Sequence, residues 1–205
     1  MTDEKRIGPI LRAFRALVAG GTDAHLLLVG EDDRFVGRFG TEGSDRVHVA
    51  GYVDEADVAA YLLASDVCVC LRWPTALETS ASWLRCLAAA RATVVSDLAH
   101  TADVPVSVAR RVDLLDEDRS LAAVMRELAG DASARNRLAS AGLAWWASHH
   151  TMAMMADDYR RAIERAIAAP QPTPRDLPPH VVEDHTALAG SIVARYGAAL
   201  GWFDI

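Results

Sequence analysis

The sequence predicts an α/β fold, a Rossmann-like parallel sheet with helices on both faces. Short apolar runs alternate along the chain with segments whose apolar residues recur at helical spacing. Each run leads into a polar or glycine-bearing loop, and 51% hydrophobic with 24% charged residues is an ordinary globular composition. This alternation indicates parallel strands joined by right-handed crossovers, and ligands bind such sheets at the carboxyl ends of the strands.

The first elements follow from apolar periodicity. Lys5–Ala19 places its apolar residues on one face, which predicts an amphipathic helix that ends at Gly20. HLLLV at 25–29 is a short apolar run closed by glycine, as in a buried strand, and RVHVA at 46–50 alternates like a strand. A helix is then predicted over Asp54–Ala64, with its first residue as a candidate N-cap.

The second half continues the alternation. DVCVCL at 66–71 predicts a strand, the loop Arg72–Leu77 follows, and a helix is predicted over Glu78–Ala90 before the strand ATVVS at 92–96. The remaining predicted elements are a strand near Arg111–Leu115 and helices near Ser120–Leu128, Ala132–Ser148 and Met152–Ala168.

Prolines divide the chain near its carboxyl end. The stretch PQPTPRDLPP at 170–179 interrupts every periodic pattern, and an amphipathic segment follows it. We therefore predict a Rossmann-like domain over 1–168, a proline-rich linker over 169–180 and a helical C-terminal tail over 181–205.

Charge, hydropathy and cysteine content restrict the class of protein. The net charge of −7 argues against a nucleic-acid partner, because phosphate binding favours a basic surface. No apolar run approaches the roughly 18 residues of a transmembrane segment, and the N-terminus lacks the apolar centre of a secretory signal. Cys68 and Cys70 share one face of a strand and cannot easily bridge, and Cys86 makes the count odd. We therefore expect reduced thiols and a cytoplasmic protein.

The stretch from Leu71 to Leu98 carries the strongest functional signal. A strand delivers the chain to a loop, and a helix is predicted to open on Glu78-Thr79-Ser80. The unpaired N–H groups and positive dipole of a helix N-terminus suit a diphosphate. The hydroxyls of Thr79 and Ser80 add donors, and Glu78 is able to accept hydrogen bonds from sugar hydroxyls. The alternative, that these residues only start the helix, stays open at this point.

This stretch resembles the donor-site signature of the retaining, family-four (group 1) bacterial glycosyltransferases. That signature is Glu, seven residues and a second Glu, followed by a small-residue turn and a strand. Glu78 matches the first Glu, and AAARATVVS at 88–96 matches the run Ala-Ala-Gly-Arg-Pro-Val-Val-Val-Ser. EKRIGPILRAF at 4–14, LLVG at 27–30 and VAGYV at 49–53 fit as well, so the similarity covers roughly residues 4–168.

The resemblance implies the C-terminal, donor-binding half of a GT-B fold, with a nucleoside-diphosphate sugar as the donor. Glu78 would contact the donor hexose as the catalytic residue, the helix start would face the diphosphate, and Lys5 or Arg6 would neutralise it. The family generally works without a metal, so no metal or cofactor is expected. The residues expected to bind the donor are Lys5, Arg6, Gly30, Glu31, Val53, Thr79, Ser80 and Cys86.

Cys86 departs from the family pattern. It occupies the position of the second Glu, which contacts the donor ribose, and a thiol is a poor acceptor for ribose hydroxyls. Two alternatives to a transferase remain. A nucleotide-sugar 2-epimerase shares the architecture but needs an acid/base pair that the sequence does not offer. A non-catalytic nucleotide-sugar-binding subunit or fragment needs no catalytic residue.

The resemblance also implies a missing half. The first predicted helix begins close to Met1, whereas the family places a strand immediately before it, near the middle of the strand order. We expect a longer product or a partner chain to supply that strand and the N-terminal, acceptor-binding domain. The isolated chain is then not an active transferase, and its acceptor is unknown.

Overall fold

The computed structural model describes residues 3–31, 45–75 and 78–170, together with 190–191 and 194–195. The strands in these ranges are β1 Leu26–Val29, β2 Val47–Gly51, β3 Val67–Cys70, β4 Ala92–Ser96 and β5 Arg110–Val112. The α-helices in the same ranges are α1 Ile7–Ala19, α2 Glu55–Ala64, α3 Ala81–Ala88, α4 Glu117–Gly130, α5 Ala132–His149 and α6 Met152–Ala168. Short 3-10 turns cover Asp3–Lys5, Ala99–Thr101 and Leu114–Asp116.

The strands form two parallel sheets. In the first, β1 pairs with β2, and Leu26 lies opposite Val47. The second has the order β3-β4-β5, in which Val69 lies opposite Val94. Every described pairing is parallel, so within each sheet the carboxyl ends of the strands meet at one edge.

Helices cover β4 on both faces. Val94 belongs to a core cluster with α1 and α4, whereas the adjacent Val95 belongs to a second cluster with Trp83 and Leu87 of α3. Successive side chains of a strand point to opposite faces, so these two clusters lie on opposite sides of the sheet. The predicted α/β class, with helices on both faces of a parallel sheet, is confirmed.

The first core cluster joins the two sheets. Ile7, Ile10 and Leu11 on the apolar face of α1 pack in it together with Leu28 of β1 and Leu71 beside β3. Apolar burial contributes roughly 1.5–3 kcal/mol for each such side chain. The two sheets therefore share one hydrophobic core beneath α1, although no described strand pairs with both.

Three helices begin at positions other than those predicted. α1 starts at Ile7 rather than Lys5, which belongs to a 3-10 turn. α3 starts at Ala81 rather than Glu78, because Ser80 has extended backbone and accepts a hydrogen bond from the Trp83 backbone N–H as the N-cap. α4 starts at Glu117 rather than near Ser120, directly after a 3-10 turn. Glu78 thus precedes the helix instead of lying in its first turn.

The chain divides into two compact units, residues 1–160 and 161–205, with the division inside α6. The predicted domain boundary lies later, at 168. Apart from residues 169–170, the predicted proline-rich linker lies outside the described residues, and so does the predicted tail apart from the helical residues 190–191 and 194–195. No helix in the described parts of the chain has the length and apolar character needed to cross a membrane.

Candidate functional site

The segment before α1 lies against the exit of β3. The backbone N–H of Trp73, three residues beyond β3, donates a 2.8 Å hydrogen bond to the carbonyl of Glu4. This contact joins residues 69 positions apart at the carboxyl edge of the three-stranded sheet, where ligands bind in folds of this class. It places Lys5 and the loop that carries Glu78 at the same edge.

Arg72 connects the two segments. Its guanidinium Nη1 lies 3.4 Å from Glu4 Oε1 and 3.3 Å from Glu78 Oε1, and only 17% of its side chain is exposed. Lys5 Nζ lies 3.5 Å from the same Glu4 oxygen. Two cations and two carboxylates therefore form one cluster, and the more exposed carboxylate, on Glu78, has 52% of its side chain open to solvent.

The start of α3 continues the cluster along the chain. Ser80 is 9% exposed, and its hydroxyl oxygen caps the helix, so that hydroxyl is engaged as an acceptor. Thr79 is exposed beside Glu78. The structure therefore brings together four residues that we predicted from the sequence, namely Lys5, Glu78, Thr79 and Ser80.

Two residues of this edge were not among the predicted site residues. Arg72 follows a strand, where an arginine is most often solvated, and only the approach of Glu4, which the sequence does not reveal, shows its bridging role. His100 lies in the turn after β4, and its Nδ1 atom is buried without a hydrogen-bond partner among the described residues. Its only sequence signal is its position just after a buried strand.

The carboxyl ends of β1 and β2 carry the predicted base-binding loops. Gly30 and Gly51 both have positive φ values, 136° and 69°, which favour glycine, and the Gly30 N–H donates to the Gly51 carbonyl at 2.8 Å. Glu31 is exposed and Val53 is half-buried, each two residues beyond the end of its strand. These residues lie at the carboxyl edge of the two-stranded sheet, as predicted from the strand order.

Arg6 points toward α4. Its Nε donates to both carboxylate oxygens of Glu117, at 2.9 and 3.2 Å, and its Nη2 contacts the same carboxylate. Glu117 is 8% exposed, and the hydrogen bonds to it raise the pKa of Arg6. Removal of one partner from such a pair leaves a poorly solvated charge. Of the two cations predicted to meet the diphosphate, Arg6 is thus already neutralised by an internal carboxylate.

Cys86 lies in the core. It is 4% exposed, and its Sγ is 3.7 Å from Sγ of Cys70 on β3. The hydrogen bond with Cys86, together with burial, raises the pKa of the Cys68 thiol. The three cysteines are free thiols, as expected, and Cys86 faces the sheet. Its predicted contact with a donor ribose therefore has no geometric support.

The sequence matches a known family model. The model described as "Glycosyl transferases group 1" covers residues 1–131, more than half of the chain. The chain belongs to the group 1 glycosyl transferases. This match confirms the predicted family, and a search of curated protein sequences finds no match.

Solved structures show the same architecture. Sucrose-phosphate synthase from Thermosynechococcus elongatus superposes with a TM-score of 0.65 and 19% identity, over 82% of this chain and 44% of that one. Anabaena HepE in complex with UDP gives 0.59 and 14%, over 69% and 41%. The C-terminal domain of the group 1 protein LpcC from Francisella tularensis gives 0.62 and 15%, over 74% and 83%.

The coverages differ in an informative way. The chain spans less than half the length of sucrose-phosphate synthase and HepE, but it matches most of an isolated C-terminal domain. At these identities the likeness shows the fold alone. It identifies the fold as a GT-B half of the C-terminal kind.

Proposed function

We propose that this group 1 glycosyl transferase chain binds a nucleoside-diphosphate sugar at the carboxyl edge of its sheets and forms the donor half of a retaining transferase. The observation that carries the proposal is the cluster of Lys5, Glu4, Arg72 and Glu78 beside the start of α3. Two cations and two partly exposed carboxylates pair there, and Glu78 lies three residues before the first residue of α3.

The diphosphate is assigned to the cations and the helix start. Lys5 is the only lysine in the sequence, and its ammonium group is held near the edge by a single carboxylate. Arg72 presents a planar guanidinium whose geometry suits phosphate oxygens. Stabilisation of the leaving diphosphate is the main chemical task in such transfer, and preorganised charges achieve it without a metal in this proposal.

The sugar is assigned to Glu78. Arg72 holds one oxygen of this carboxylate, and about half of the Glu78 side chain is exposed, so it is accessible to hydrogen bonds from hexose hydroxyls. A fixed negative charge beside the anomeric carbon also stabilises an oxocarbenium-like sugar as the diphosphate departs. Glu78 is therefore the candidate catalytic residue.

We propose a shorter set of donor-binding residues than the one predicted from the sequence. Gly30, Glu31 and Val53 remain proposed for the base, because they end the neighbouring strands. Arg6 is replaced by Lys5 as the diphosphate cation, and Cys86 is left out of the donor site. HepE was solved with UDP, which makes UDP the first nucleotide to test.

The proposal includes a second half. Acceptor and donor must be held together in attack geometry, and a single half provides only one of the two binding surfaces. We propose that an N-terminal GT-B domain, on a longer chain or a partner chain, binds the still unknown acceptor. The free thiols further favour a cytoplasmic location for the enzyme.

Nucleotide binding to the purified chain tests the proposal. UDP or GDP is expected to raise Tm, since only the folded state binds the nucleotide. At a nucleotide concentration of 100 times Kd, binding adds about 2.7 kcal/mol to the free energy of unfolding. The Lys5→Gln variant should weaken the Kd from calorimetry roughly tenfold, the usual scale for loss of a charge-assisted hydrogen bond. The matched control is Arg12→Gln, because Arg12 is an exposed cation of α1 that pairs with Asp118 on α4.

Three results would contradict the assignment. The first is no change in Tm with millimolar UDP or GDP. The second is equal weakening of nucleotide binding by Lys5→Gln and Arg12→Gln. The third is a Glu78→Gln variant whose affinities for UDP and for a UDP-hexose keep the wild-type ratio. The third result would contradict the role of Glu78 in binding the sugar, but it would not contradict nucleotide binding.

A further inference from the structure

Two thiols from different elements meet between α3 and β3. Sγ of Cys86, on α3, lies 3.7 Å from Sγ of Cys70, the last residue of β3. A disulfide holds its two sulfur atoms about 2.05 Å apart, so bond formation needs the sulfurs to approach by less than about 2 Å. The folded chain therefore already places this pair close to bonding geometry.

The third cysteine narrows the pairing. Cys68 lies two residues before Cys70, on the same face of β3, and two cysteines in this relation cannot easily bridge. The sequence has three cysteines, so Cys86 is the one able to form a bond to β3. The hydrogen bond with Cys86, together with burial, raises the pKa of the Cys68 thiol, which makes Cys68 a poor attacking group.

We propose that Cys70 and Cys86 form a modification site, which a low-molecular-weight disulfide such as oxidised glutathione converts to an intramolecular disulfide. Cys70 is half-buried, whereas Cys86 is only 4% exposed, so Cys70 is the thiol that meets the reagent. Its thiolate attacks one sulfur of the reagent. The S–S bond of the reagent breaks, a mixed disulfide forms on Cys70, and one small thiolate leaves.

Cys86 completes the exchange. Its thiolate attacks Sγ of Cys70, the mixed disulfide breaks, and the second small thiolate leaves. The two protein thiols are thereby oxidised to one disulfide, and the reagent is reduced to two thiols. The protons lost by Cys70 and Cys86 pass to the two thiolates that were released.

The exchange is expected to be slow. The hydrogen bond with Cys68 lowers the pKa of the Cys86 thiol, but the hydrogen bond with Cys70 and burial raise that pKa by more. Little Cys86 thiolate is therefore present near neutral pH, and the thiolate is the species that attacks. The pair stays reduced without an oxidant and is oxidised over a time on the order of hours.

The bond would restrain the segment that carries the candidate site. The loop that it closes runs from Cys70 to Cys86 and contains Arg72, Glu78 and Ser80. Closing such a loop removes conformational freedom from the unfolded chain, so the oxidised protein should be more stable than the reduced protein. This inference concerns thiol chemistry, and it does not depend on donor binding.

Mass spectrometry of the full chain tests the site. The folded protein is incubated with oxidised glutathione, the remaining thiols are alkylated, and tryptic peptides are analysed without reduction. The peptide that starts at Cys86 should be linked to the peptide that ends at Arg72, and fragmentation should assign the bond to Cys70. Cys68→Ala and Cys70→Ala are matched variants, because both replace half-buried cysteines on one face of β3. The first should keep the link, and the second should lose most of it.

Thermal melts measure the restraint. The linked protein should unfold roughly 5–10 °C above the reduced protein, and dithiothreitol should reverse the difference.

Each outcome decides the proposal. A Cys70–Cys86 link in the wild type that persists in Cys68→Ala and raises Tm supports it. A link to Cys68, glutathione retained on Cys70 without a link, or no reaction of either thiol overturns it. An unchanged or lower Tm of the linked protein also overturns it, because the bond would then form in a locally unfolded chain and not from the contact between the two sulfurs.

Discussion

β3 and β4 are neighbouring strands of similar apolar sequence, yet they differ in burial. Every residue of β4 is buried, whereas every residue of β3 is only half-buried. β4 is paired on both sides and is covered by α1 and α3, whereas β3 has one strand partner among the described residues. An apolar sequence thus indicates where a strand forms, but the neighbouring elements determine how much of that strand is buried.

The contrast extends to polar groups. Thr93 on β4 is fully buried, and its hydroxyl accepts a 3.1 Å hydrogen bond from the Trp83 indole N–H. Ser96 at the end of β4 accepts from the Arg72 amide at 3.0 Å. These two polar side chains of β4 are thus hydrogen-bonded within the protein. One bond holds α3 against β4, and the other holds the residue that follows β3, where the candidate site begins.

The sharpest test of this contrast replaces two residues that face each other across the ladder. Val94 and Val69 are register partners, and Val94 is fully buried. Val94→Ala is expected to lower the free energy of unfolding by roughly 2–3 kcal/mol, since it combines lost burial with a cavity. Val69→Ala should cost about 1 kcal/mol, because that side chain keeps some contact with solvent. Urea denaturation measures both, and equal losses would remove the distinction between the strands.

The positions of the strands were easier to predict from the sequence than the starts of the helices. Four of the described strands lie where their apolar runs place them. The last is only partly right, since β5 covers Arg110–Val112 whereas the predicted strand ran to Leu115, which lies in a 3-10 turn. The predicted start of α3 is wrong by three residues, since Glu78 and Ser80 both resemble helix starts and only the hydrogen bond from Trp83 distinguishes them.

Site geometry was harder to predict than strands. Arg6 and Glu117 are 111 residues apart in sequence, so no local pattern indicates their pairing. Arg72 gains its role from Glu4, which is 68 residues away in sequence, so periodicity does not encode the contact. The inward direction of Cys86 follows from its position on α3, but motif spacing alone had placed it in the donor site.

A second prediction concerns the buried hydrogen bond of β4. Thr93→Val keeps the shape of the side chain and removes the acceptor for Trp83, which is 5% exposed. An unsatisfied buried donor costs about 1–3 kcal/mol, so urea denaturation should show a loss in that range. Thr93→Ser, which keeps the hydroxyl, is the control. A loss for valine no larger than that for serine would show that the indole finds another partner.

The smallest expected effect is a pH dependence in the layer beneath β4. Burial, with the charge of His149 as a lesser cause, lowers the pKa of His150, whose ring meets the edge of Trp83. The unfolded chain therefore binds a proton more readily, so stability falls as pH drops below the ordinary histidine value of about 6.5 and is constant above it. Because the ring is partly solvated, the wild type should lose of the order of 1 °C more in Tm than His150→Gln between pH 7 and pH 5. Paired thermal melts of the two proteins measure the difference. An equal change in Tm for the two proteins across this range would contradict the prediction. It would mean that the His150 ring, at the end of α5, is as well solvated in the folded protein as in the unfolded chain.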